Sequence, residues 1–139
     1  MPIIRKKITQ EIINSYALIS GDHNPIHLDK EYAESTRFKS RIAHGMISLA
    51  IVTEMLHEFF SYNLLSNGKI KTKFTAPVFP DEIVNTYGKI SSINKIGNKK
   101  NITCEIGCLK SNGEKVIEGE AIITIWKIGE KIYYDKRNR

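Results

Sequence analysis

The chain has 139 residues, of which 41% are hydrophobic and 26% charged, with 21 Lys and Arg set against 15 Asp and Glu. That balance excludes a disordered chain and predicts a single domain over 1–139, large enough to bury its own core. The net charge of +6 admits an anionic partner, but the lysines are spread along the chain with no nucleic-acid motif, so no nucleic-acid role is expected.

The longest apolar run, Met46 to Val52 with Met55 and Leu56 beyond it, is shorter than the ~20 residues of a membrane span, so no membrane role is expected. The N-terminus has Arg5, Lys6 and Lys7 after its few apolar residues and no apolar region of signal length. A cytoplasmic protein is the expectation. Cys104 and Cys108 are four residues apart in a strand-like segment, about 13 Å along an extended chain and too far for a disulfide. No metal site is expected of them, and they read as buried small residues.

In chain order, Ile3 to Ile8 predicts an opening strand. Thr9 can cap a helix over Gln10 to Ile19, with Ile12, Ile13, Tyr16 and Ile19 at helical spacing, and Gly21 ends it. Gly21-Asp22-His23-Asn24-Pro25 is a loop, after which Asp29 can cap a short helix from Lys30 to Ser35. Gly45 to about Ser61 is a helix apolar on most sides, which something must wrap. Strands are expected at about Gly68 to Thr75, Ile83 to Ile93, Lys100 to Lys110 and Glu114 to Ile128. Gly97-Asn98 and Asn112-Gly113 supply turns between the last three. Helix first and strands after favours an α+β fold. The expected form is a four-stranded antiparallel meander plus the N-terminal strand, curved around one long central helix, which is the layout of a hotdog fold. Its open edges predict a homodimer with a continuous sheet, and dimers of dimers are not excluded. The tail, Tyr133 to Arg139, is expected to be only partly ordered.

Two segments can carry chemistry. Asp22 and His27 are an acid and an imidazole five residues apart on a loop folded by Gly21 and Pro25, so they can face a common centre and exchange protons with a bound water. The same residues are also an ordinary turn, with Asp22 or Asn24 meeting backbone amides and His27 only packing. In Arg41-Ile42-Ala43-His44-Gly45-Met46, Gly45 stands at a helix start. There an unpaired amide can receive a developing oxyanion, or the glycine can simply allow a tight entry into the helix. His44 reads as positioning that entry.

Taken together, these segments resemble the MaoC-like hydratase family, the (R)-specific enoyl-CoA hydratases. Tyr16 to His27 fits the family's hydratase motif of an aromatic residue, then Gly-Asp-x-Asn-Pro, an aliphatic residue and histidine, with the small residue Ala33 six positions on. Arg41 to Met46 is similar to the family's glycine-bearing helix start, and Phe74 to Pro80 to its Phe-x-x-Pro-Val segment.

The resemblance implies reversible syn addition of water to a trans-2-enoyl thioester, giving an (R)-3-hydroxyacyl thioester. Asp22 and His27 would be catalytic, Gly45 the oxyanion amide and Asn24 the loop holder, with no metal or redox cofactor. Thr53 would be a supporting polar position or simply a core threonine, and Ile47, Leu49, Met55 and Phe59 on the central helix are the candidates for contacting the acyl chain. The substrate would be carried by coenzyme A or acyl carrier protein. The alternatives are a 3-hydroxyacyl-[acyl-carrier-protein] dehydratase running the same chemistry in reverse, and a noncatalytic thioester-binding subunit. Where the family usually has Gly-Asp after Pro80, this chain has Asp81-Glu82. Either that turn differs or Asp81 is strained.

Overall fold

The computed structural model describes residues 1–126. Five antiparallel strands form one sheet in the order β1-β3-β4-β5-β2. The strands are β1 (Arg5–Lys7), β2 (Gly68–Phe74), β3 (Ile83–Ile96), β4 (Lys99–Lys110) and β5 (Lys115–Trp126). Against them lie α1 (Gln10–Ser20), α2 (Pro25–Leu28), α3 (Lys30–Ser35), α4 (Gly45–Phe60) and α5 (Tyr62–Asn67). Lys127, Ile128 and the tail Tyr133 to Arg139 lie outside the described residues.

Local chemistry sets the helix ends. Thr9 accepts from the Ile12 amide at the start of α1, and Gly21, at φ 77°, returns its N–H to the Ala17 carbonyl at the other end. Asp29 accepts from the Tyr32 amide to begin α3. The buried residues of α1 are Ile13 and Ala17, with Tyr16 half-buried beside them. Ile12 and Ile19 face outward, so the buried stripe is narrower than the sequence spacing suggested.

The 16-residue α4 is about 24 Å long at the usual rise. It buries Ile47, Ile51 and Met55 in one row and Ser48, Val52, Leu56 and Phe60 in the next. Those rows meet the inward side chains of β3, β4 and β5, including Val84, Ile106, Ile117 and Ile123. Cys104 and Cys108 are free and buried in the same core, and burial pushes the Cys108 thiol up to about 11. This is the hotdog arrangement. No helix among the described residues is long and apolar enough to cross a membrane.

The expected meander needs correction. Strands β3, β4 and β5 do run as consecutive hairpins, but β2 pairs with β5, from Gly68 opposite Ile123 to Phe74 opposite Ile117. The reason lies in the connection after β2, residues 75–82, where Pro77 and Pro80 supply no N–H and the length exceeds that of a tight hairpin. The chain instead crosses to the far side of the sheet. On the way, the Val78 carbonyl accepts from the Ala43 amide at 2.7 Å, which ties the crossing to the entrance of α4. Asp81 takes φ 72°, so the glycine-less turn is met by a strained aspartate rather than by a different turn. Its N–H donates to the Ile8 carbonyl at 2.7 Å.

Candidate active site

The loop after α1 is built from its own side chains. The Asp22 carboxylate accepts from the Asn24 amide, and Asn24 in turn accepts from the Ile26 amide. Asn24 thereby caps α2, with Pro25 in its first turn. This short helix, not expected from the turn-forming residues before it, sets the direction of His27. Gln10 fixes its other side by donating to the His27 carbonyl at 2.9 Å. The segment before α4 is stitched to it by the Ile42 amide on the Ile26 carbonyl.

His27 Nδ1 lies 2.8 Å from the Ile42 carbonyl oxygen. A carbonyl can only accept, so Nδ1 carries the hydrogen and Nε2 keeps its lone pair. Burial holds this imidazole below its ordinary 6.5, and the His44 ring adds to that, while the Ile42 bond and the Asp22 carboxylate work against it. The imidazole is therefore neutral at neutral pH.

Asp22 and His27 come together, and His44 joins them. One side-chain oxygen of Asp22 and one ring nitrogen of each histidine lie within 4.8 Å of one another. Among the described residues, these are the side chains placed to share a metal ion, but His27 Nδ1 and His44 Nε2 are both engaged with backbone carbonyls. The Asp22 carboxylate is about half exposed, whereas His44 is almost fully buried.

His27 and Gly45 line one cleft of about 390 Å³, with Phe38, Ile42, Met46, Phe74 and Val78 in its apolar wall. Gly45 is the first residue of α4, so its amide belongs to the turn whose N–H groups have no acceptor within the helix. A Cβ there would meet two ring carbons of Phe74 at 2.9 Å. Glycine is what lets that ring, and anything else in the cleft, come close to the helix start.

The remaining sequence candidates are placed elsewhere. Ile47 points into the core and is not on the cleft wall, because helix residues rotate by about 100° per position and Met46 and Ser48 take the cleft-facing places. Leu49 and Met55 pack in or against the core, and Phe59 is exposed. Thr53 turns its hydroxyl back onto the Leu49 carbonyl of its own helix at 2.9 Å. The cleft wall comes instead from residues far apart in sequence, such as Phe38, Phe74 and Val116. Only the likeness of Phe74 to Pro80 to a family segment hinted at part of it.

An imidazole-lined apolar cleft with a carboxylate beside that imidazole, on a hotdog domain, defines the class. Residues 3–111 match the family described as MaoC like domain, and the chain belongs to that family. It is 33% identical over 126 residues to an (R)-specific enoyl-CoA hydratase from Rhodospirillum rubrum, covering 88% of this chain and 83% of the relative. It is 29% identical over 131 residues to a 3-hydroxybutyryl-CoA dehydratase from Methylorubrum extorquens, covering 90% and 78%. Its fold is similar to that of an R-hydratase from Pseudomonas aeruginosa, with a TM-score of 0.71 and 28% identity over 88% of this chain and 77% of that one.

Proposed function

We propose that this protein is a cytoplasmic hydro-lyase, an (R)-specific enoyl-CoA hydratase that reversibly adds water to a trans-2-enoyl thioester. The observation that carries the reading is the meeting of the Asp22 carboxylate with the His27 imidazole, which together with the Gly45 helix start lines one apolar cleft. The relatives' names agree with it.

In the proposed reaction, the acyl chain lies along the apolar wall and the thioester oxygen faces the Gly45 amide. A water between Asp22 and His27 gives a proton to Nε2 as its oxygen bonds to the β-carbon, and the double-bond electrons move onto the thioester as an enolate. The α-carbon then takes the proton back from the pair. Oxygen and hydrogen arrive from one side, so the addition is syn. Asp22 holds the water and offsets the imidazolium charge, while the α4 amide stabilises the enolate oxygen. No metal or redox cofactor is needed.

The same reading expects a homodimer. In the described sheet β1 and β2 are the edge strands, and Leu18, Ile19, Tyr62 and Leu65 are exposed apolar side chains that a second copy would cover.

Hydration of crotonyl-CoA by the wild type, Asp22→Asn and His27→Ala tests the proposal, with each variant expected to lose at least ~10²-fold in kcat. Equal rates in all three would reject it. Presenting the same acyl chain on acyl carrier protein separates the two carriers.

A further inference from the structure

His44 is the buried polar residue that the reaction described above does not use. Its side chain is 2% exposed, and its Nε2 donates to the main-chain carbonyl of Asp22 at 2.9 Å. The ring stacks on His27 with centroids 3.8 Å apart and planes 28° from parallel. Its other neighbour is Tyr16 of α1, at 4.8 Å. Although His44 precedes the first residue of α4, its side chain makes no capping bond to that helix, and its Nδ1 finds no hydrogen-bond partner among the described residues. A buried imidazole whose polar contacts, to the carbonyl and a carboxylate oxygen of Asp22, lie in another segment is not explained by helix entry alone.

We propose that His44 is a positioning residue, which clamps the Asp22 main chain, stacks on the His27 ring and runs directly into Gly45, so that acid, base and oxyanion amide share one register. The proposal rests on the roles given above to those three residues. An imidazole fits because it combines a directed N–H with a flat face. Phenylalanine would keep the stack without the clamp, and glutamine the clamp without the stack. The groups that set the His27 charge are the Ile42 carbonyl, Asp22 on its own loop and His44 at the α4 start, while Tyr16 packs behind His44 and Arg37 lines the cleft. Of these, the His44 ring is one that lowers the His27 pKa.

The test uses the full chain carrying His44→Gln or His44→Phe, with kcat, KM and an NMR titration of the His27 imidazole as readouts. In folded variants, kcat is expected to fall roughly 10-fold to 10²-fold. KM should stay within about two-fold, because His44 does not line the cleft. The His27 titration should move upward in both variants, and His44→Gln should retain more kcat because it keeps a donor for Asp22. Should one variant fail to fold, the other is read alone. Unchanged kcat and an unchanged His27 titration in a folded variant would overturn the proposal. So would a loss that lies wholly in KM. If the wild type hydrates no thioester, the proposed function fails, and the His27 titration still decides whether His44 sets its environment.

Discussion

His27 donates its Nδ1 hydrogen to the Ile42 carbonyl across 2.8 Å, which leaves the lone pair on Nε2, the nitrogen proposed above as the base. Burial holds the imidazole below 6.5, so the base should remain neutral as the pH falls past that value. The acid limb of kcat/KM is therefore expected below 6.5, and a limb at or above 6.5 would contradict this assignment. Stability follows the same sign. The unfolded chain takes up the proton first, so the contribution is fully present above 6.5 and is lost as pH drops toward the lower folded value. Thermal unfolding across pH 5 to 8, with His27→Gln as reference, isolates it.

Gly45→Ala should separate folding from catalysis. The new methyl would meet the Phe74 ring at 2.9 Å, but that ring is half exposed and can swing aside. A destabilisation of about 1 kcal/mol is expected in thermal unfolding. A loss of roughly 10-fold or more in kcat/KM should accompany it, because methyl and displaced ring both crowd the amide that would receive the enolate oxygen. Wild-type activity in Gly45→Ala would remove this amide from the account.

Lys110 ties the crossing segment to the turn between β4 and β5. Its ammonium is buried and lies 3.0 Å from both Glu82 and Glu114, and Glu82 also accepts from the Phe79 amide in the crossing segment. Lys110→Ala leaves those carboxylates facing each other. The expected cost is about 2 kcal/mol, less than the ~3–5 of a fully buried pair because both carboxylates reach solvent. Chemical denaturation measures it, and a midpoint equal to wild type would show that the ion group contributes nothing.

Asp81 is a non-glycine residue at φ 72°, and its ion pair with Lys7 is largely exposed. Asp81→Gly should relieve the strain and keep the N–H hydrogen bond to the Ile8 carbonyl. A gain of about 0.5–1 kcal/mol is expected, since the lost surface pair is worth little. Asp81→Val should destabilise, because a β-branched residue fits that conformation poorly. Melting temperatures of the two variants should move in opposite directions.

What could be read from the sequence was what neighbours in sequence decide. Thr9, Gly21 and Asp29 act on amides or carbonyls within four residues, and the Asp81 strain follows from one missing glycine. Asn112-Gly113 gave its hairpin for the same reason, with Gly113 at φ 86°. The partner of β2 is a choice among distant strands, and no local pattern encodes it. Because α4 is apolar nearly all round, periodicity alone cannot tell Ile47, which faces the core, from Met46, which faces the cleft. The importance of His44 depends on Tyr16 and His27 folding over it. In sequence it is only a histidine before a glycine.

The most direct measurement of the central claim is the stereochemistry of the product when the wild-type chain hydrates crotonyl-CoA in deuterated water. The account expects the (R)-3-hydroxy thioester with deuterium delivered to the same face as the hydroxyl. An (S) product, a mixture of configurations, or deuterium on the opposite face would contradict a single water held by Asp22 and His27.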